Sequence, residues 1–122
     1  MMKIGEEKIH EKIDIISNEI CNKKGEKIVN INFKKINNSP CDFFIIYSGK
    51  SNRQIQSISK SVEKKVFEKL KIKPWQTEGK NSDWILIDYS DVIVHIFKAE
   101  TREHYDLESL WGDGKIKKYN CE

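Results

Sequence analysis

The 122-residue sequence predicts an α/β fold, a single mixed β-sheet with helices packed on it. Three observations point there. Ile9, Ile13, Ile16 and Ile20 recur at helical spacing. The near-continuous apolar run from Phe43 to Tyr47 suits a strand buried on both faces. The alternating segments Trp84 to Asp88 and Val92 to Lys98 flank a short break, as the arms of a hairpin do. A chain of this length buries one core, so residues 1–114 are expected to form one domain.

The elements follow in order. The first helix is expected over Glu6 to Lys24, with Gly25 as its C-cap. Ile28 to Phe33 is rich in β-branched residues and reads as a strand. Asn37-Asn38-Ser39-Pro40 reads as a turn. Asp42 to Ser48 forms the buried strand, and Ser51 or Asn52 can cap the helix after it. Ile55, Ile58, Val62, Val66 and Leu70 place one stripe on that helix, which Pro74 ends. Its length allows a parallel crossover from strand 43–48 to strand 84–88. Thr77-Glu78-Gly79 and Asn81-Ser82 read as loop. Thr101 can cap a last helix running through Trp111, and residues 115–122 look like a flexible basic tail.

Composition narrows the class. No apolar run approaches the roughly 20 residues that span a bilayer. The start, MMKIGEEKIHEK, lacks an apolar signal core. The expected location is the cytoplasm, or an organelle as a mature form. Cys21, Cys41 and Cys121 are odd in number and form no CxxC pair, so ordinary reduced thiols are expected. The net charge of +3 conceals a division. Residues 1–81 carry 17 Lys+Arg against 10 Asp+Glu, whereas residues 82–114 carry 2 against 8. The acidic stretch suits a basic partner and would repel a phosphate backbone. The lysines of residues 1–81 either solvate the surface or meet RNA, and their number leaves both open.

Signals for chemistry are weak. Ser48-Gly49-Lys50-Ser51 lacks the GxxxxG frame of a phosphate loop. A strand, a Gly-Ser turn and a helix also suit a nucleotidyltransferase, but the available acids, Asp88 and Asp91, flank a turn. His95 and His104 have no nucleophile placed beside them by a recognisable motif. No catalytic residue, metal ligand or cofactor contact is assigned.

The hairpin is more informative. With Tyr89-Ser90 as a two-residue loop, Asp88 faces Asp91, Leu86 faces Ile93 and Trp84 faces His95. Alternation puts Trp84, Leu86, Ile93, His95 and Phe97 on one side and Ile85, Ile87, Val92, Val94 and Ile96 on the other. The aliphatic side belongs to the core. The aromatic side is either a protein-binding surface or the floor of a helix layer. The last helix adds Glu100, Glu103, Asp106 and Glu108 beside Tyr105, Leu107, Leu110 and Trp111, aromatic anchors among acids.

Several pieces then combine. They are Cys41-Asp42-Phe43-Phe44-Ile45-Ile46, Ser48-Gly49-x-Ser51-x-x-Gln54, Glu78-Gly79 and Asp83-Trp84-Ile85-Leu86-Ile87-Asp88-Tyr89. Asp91-Val92-Ile93-Val94-His95-Ile96-Phe97 and Glu100-x-Arg102-x-x-Tyr105-x-Leu107-Glu108-x-Leu110-Trp111 complete the set. In this order, over more than half the chain, they resemble the Iojap-like ribosomal silencing factor family. Ser90 stands where that family usually has Gly, and Cys41 where Thr is common.

The resemblance implies a non-enzymatic protein with a fold related to nucleotidyltransferases but without their catalytic acids. It implies binding to the large ribosomal subunit through ribosomal protein L-fourteen, on the face that receives the small subunit. Translation would fall when nutrients are scarce. A homodimer off the ribosome is plausible; direct nucleic-acid readout, a membrane and a cofactor are not expected. The residues expected to meet the partner are Trp84, Asp88, Asp91, His95, Glu100, Tyr105, Leu107, Glu108, Leu110 and Trp111.

Overall fold

The computed structural model describes residues 3–34, 39, 41–79, 82–112 and 114–121, with backbone alone over residues 3–8. The expected turn at 37–40 and the loop residue Asn81 lie, apart from Ser39, outside the described residues. Ten elements follow one another: α1 (Lys3–Asn22), β1 (Glu26–Asn32), β2 (Phe43–Gly49), α2 (Asn52–Leu70), β3 (Gln76–Glu78), β4 (Trp84–Asp88), β5 (Val92–Lys98), α3 (Ala99–Tyr105), α4 (Leu107–Leu110) and β6 (Lys115–Lys118). The strands form one six-stranded sheet in the order β3-β4-β5-β2-β1-β6. Only β2 and β5 pair in parallel, so the sheet is mixed, as predicted.

The crossover differs from expectation. α2 returns the chain so that β5, not β4, lies parallel beside β2. β4 pairs antiparallel with β5 on its far side and therefore runs against β2. The run Phe43–Gly49 is buried throughout because β2 is central and covered on both faces.

Local chemistry sets the helix ends. Lys24, with φ 67°, takes the left-handed position after α1, and the Gly25 amide donates to the Ile20 carbonyl at 2.8 Å. Gly25 is needed for closeness rather than for its φ, since a Cβ there would lie 2.3 Å from Ile20 Cγ2. Ser51 caps α2, accepting from the Gln54 amide at 3.1 Å, while Gln54 Oε1 accepts from the Lys50 amide at 2.7 Å. α2 ends at Lys71 in the left-handed region, before Pro74 acts. The expected single last helix is two. Asp106, at φ 48°, breaks it into α3 and α4, and Thr101 lies inside α3 rather than capping it. The break turns Leu107 into the core.

Two readings of the termini are corrected. Lys115–Lys118, expected as a frayed tail, pairs antiparallel with β1 as an edge strand whose lysines guard it against further pairing. Cys21 and Cys121, expected as reduced thiols, are joined in a disulfide across 100 positions. It ties the C-terminal segment to the end of α1, where Tyr119 Oη also donates to Asn18 Oδ1.

The sheet has unlike faces. One packs Ile45, Tyr47, Ile85, Ile87, Val94 and Ile96 beneath Ile13, Ile16 and Ile20 of α1 and Ile55, Ile58, Val62 and Val66 of α2. The other holds Val29, Ile31, Phe33, Phe44, Ile46 and Phe97, with Trp84, Ile93, Leu107 and Trp111 against them. Only the short helices α3 and α4 rest on this second face.

Candidate functional site

The hairpin that carries the site is wider than a two-residue loop. Asp88 pairs with Ile93, Leu86 with His95 and Trp84 with Phe97, two positions beyond the expected register. Ser90 adopts φ 74° and its amide donates to Asp88 Oδ1 at 2.7 Å. The Tyr89 amide donates to the Val92 carbonyl at 2.9 Å, which extends the turn to four residues. A slip of two leaves every side chain on its predicted face, because strand side chains alternate with period two.

A chain of rings crosses that face. Tyr105 lies 4.7 Å from Trp84 between ring centroids, and Trp84 lies 4.8 Å from Phe97 and 5.8 Å from His95. His95 then meets Phe44 at 4.4 Å, Phe44 meets Phe33 at 4.9 Å, and Phe33 meets Trp111 at 5.5 Å. These are offset and edge-to-face separations at which aromatic pairs gain beyond their buried area. His95 is buried, and its Nδ1 accepts from Trp84 Nε1 at 3.1 Å. The proton therefore sits on Nε2, which finds no partner among the described residues. Burial lowers its pKa to about 4, so the ring stays neutral at pH 7. His95 therefore lies under the surface, where it orients Trp84.

On α3 lies Arg102, a buried cation whose role was not assigned from the sequence. Its Nη1 donates to the Lys27 carbonyl at 2.6 Å and to Ser48 Oγ at 3.3 Å. Its Nε and Nη2 donate to Glu108 Oε2 at 3.2 and 2.8 Å. Arg102 thus fastens α3 and α4 to β1 and β2. A separation of six residues is not a helical neighbour spacing, so the pair leaves no signal in the sequence.

The expected contact residues divide. Tyr105 is 50 % exposed and Leu110 70 % exposed; Trp84 and Trp111 are half-buried and Glu100 is exposed. All five lie on or above the aromatic face. Leu107 and His95 are buried beneath it. Glu108 is engaged by Arg102, and Asp88 closes the hairpin turn. Asp91 is separated from the rest: its Oδ1 meets Lys12 Nζ at 2.8 Å, tying the turn to α1. The acids left open near the rings are Asp83, Glu100, Glu103 and Asp106. Asp83, Glu100 and His104 line an open cleft of about 500 Å³ with Trp84 and Tyr105.

The alternative chemistries find little to work with. The Lys50 amide is occupied by Gln54, and Ser48 Oγ by Arg102. Asp88 and Asp91 point to different partners. Among the described residues no cluster of three or more His, Cys, Asp or Glu could hold a metal ion. Cys41 Sγ donates to the Phe43 carbonyl, and burial pushes its pKa up to about 12, so it is a packed thiol. No described helix is long and apolar enough to cross a membrane.

Comparison with known proteins agrees with this arrangement. A family model described as "Ribosomal silencing factor during starvation" matches residues 6–121. The chain is similar to a protein of Halalkalibacterium halodurans named ribosomal silencing factor RsfS, with 39 % identity over 104 residues, covering 84 % of this chain and 87 % of that one. It is 36 % identical over 74 residues to a mouse protein named "Mitochondrial assembly of ribosomal large subunit protein 1", covering 57 % of this chain and 32 % of that one. A crystal structure of a Chromobacterium violaceum protein superposes with a TM-score of 0.79 at 32 % identity, over 85 % of this chain and 86 % of that one.

Proposed function

This chain belongs to the ribosomal silencing factor family, a family of non-enzymatic regulators, and from that premise we propose that it docks on ribosomal protein L-fourteen of the large subunit and obstructs arrival of the small subunit. In this reading the protein works in the cytoplasm and lowers translation when nutrients are limiting. It performs no bond chemistry: its bulk on the joining face is the mechanism.

The observation that carries the proposal is the partly open aromatic face. Tyr105 is exposed beside half-buried Trp84, Asp83 and Glu100 line the cleft with them, and Leu110, Glu103 and Asp106 are exposed on the same two short helices and the turn between them. Apolar anchors within an acidic rim suit a basic protein: the anchors supply affinity, and the rim supplies encounter rate and orientation. His95 and Arg102 hold this surface rigid from below, so little conformational freedom is lost on docking. Off the ribosome, the same open side chains would be covered in a homodimer.

The test is calorimetric titration of the protein with isolated ribosomal protein L-fourteen. Leu110→Ala and Trp84→Ala should each weaken binding by about 2 kcal/mol if they are anchors. Circular dichroism checks that each variant is folded. Unchanged affinity in a folded Leu110→Ala, Trp84→Ala double variant would remove this face from the docking site.

A further inference from the structure

On the other side of the sheet, α2 presents a basic stripe. Arg53, Lys60, Lys64, Phe67 and Lys71 are exposed at helical spacing along its outer face. Lys69 and Lys73 are exposed beside them. Residues 50–73 carry eight Lys+Arg and two acids. Both acids are engaged: Glu68 pairs with Lys65 at 3.9 Å, and Glu63 accepts from Thr77 Oγ1 at 3.3 Å. Arg53, Lys60, Lys64, Lys69, Lys71 and Lys73 form no ion pair with a described carboxylate.

The stripe ends in two open aromatics. Phe67 is 43 % exposed, with the ammonium groups of Lys71 and Lys73 each 5.5 Å from its ring centroid. Trp75 is 73 % exposed, yet its backbone is fixed, because its amide donates to the Asp88 carbonyl at 2.7 Å. A large apolar ring held out in water from a pinned backbone is a platform whose main chain is already placed before it binds. A row of unpaired cations leading to it complements a polyanion with flat faces.

We propose that Phe67, Trp75 and the lysines of α2 form a binding surface for single-stranded RNA, with phosphates along the helix and an unpaired base stacked on Trp75. No side chain in the stripe offers a fixed donor–acceptor pair for a base edge, so the surface is tolerant of sequence. An anionic membrane would need a broad apolar face. That face of α2, Ile55, Ile58, Val62 and Val66, is already buried against the sheet. The surface lies across the sheet from the acidic aromatic face, and the two can fail independently.

The test is fluorescence polarisation of a labelled oligoadenylate, about 12 nucleotides long, with the full chain. Contact with about four phosphates predicts that binding weakens roughly 50-fold between about 50 and 200 mM salt. Trp75→Ala should weaken it about tenfold at fixed salt and leave the salt slope unchanged, since stacking carries no charge. The Lys71→Ala, Lys73→Ala double variant should flatten the slope. Leu110→Ala, on the opposite face, should bind as the native chain does. Absence of binding at the lowest salt would overturn the proposal. So would a Trp75→Ala variant that binds RNA normally, or tighter binding to phosphatidylserine vesicles than to RNA.

Discussion

The two faces of the sheet are built from the same strands and held by different means. Under α1 and α2 the contacts are almost entirely Ile and Val, and long helices cover them. Under α3 and α4 aliphatic side chains are joined by rings, an imidazole and a part-buried Arg–Glu pair, and seven- and four-residue helices cover them incompletely. Burial of aliphatic area needs no geometry, whereas each polar group on the second face needs a specific partner. The difference is one of coverage and of how much geometry each face demands. The first face specifies the fold, and the second gives up some coverage to leave Tyr105 and Leu110 open.

The largest expected effect tests the fastening of the first side. Cys121 joins Cys21 at the end of α1, closing a loop across 100 positions. On the chain-entropy account, Cys121→Ser should cost about 5 kcal/mol in urea unfolding. Reductant should lower the native chain to the same midpoint and leave the variant unmoved. The polar fastening of the second side comes next. Arg102→Met leaves the Glu108 carboxylate and the Lys27 carbonyl without their donor, a loss of about 3 kcal/mol. Hydrogen exchange should quicken in α3 and α4 more than in α1.

His95 sharpens the comparison through pH. Its folded pKa, about 4, lies below the ordinary value of 6.5, because burial disfavours the charged ring. The unfolded chain therefore binds more protons between those limits, and stability rises with pH across that window. The contribution is fully present above about pH 6.5 and is lost on acidification toward pH 4, a change on the order of 3 kcal/mol. His95→Phe should flatten that part of the stability profile, measured by urea unfolding at each pH.

Much of this was legible because alternation is robust. Ile85 and Ile87 against Trp84 and Leu86 assigned both faces, and a register error of two positions left them in place. The error itself came from Ser90, whose positive φ and amide bond to Asp88 widen the turn in a way that side-chain pattern does not encode. The edge strands were missed for opposite reasons. β3 has three residues, too few for a period, and Lys-Ile-Lys-Lys in β6 looks like a solvated tail because all four positions are exposed. The pairs Lys12–Asp91, Arg102–Glu108 and Cys21–Cys121 are tertiary and leave no pattern in the sequence, so the internal partners of Asp91 and Glu108 were not anticipated. Half-buried Trp84 and exposed Tyr105 and Leu110 were singled out because aromatic and acidic residues crowd one short stretch.

The central claim, that the partly open face is the docking surface of a physical obstruction, is tested most directly by sedimentation of purified ribosomal subunits. The native chain should travel with the large subunit and keep the small subunit from joining it. A Tyr105→Ala, Leu110→Ala variant loses the Tyr105–Trp84 ring contact, a cost of about 1 kcal/mol, and, shown to be folded by circular dichroism, should leave joining intact and remain at the top of the gradient. Co-sedimentation and full obstruction by that variant would contradict the account.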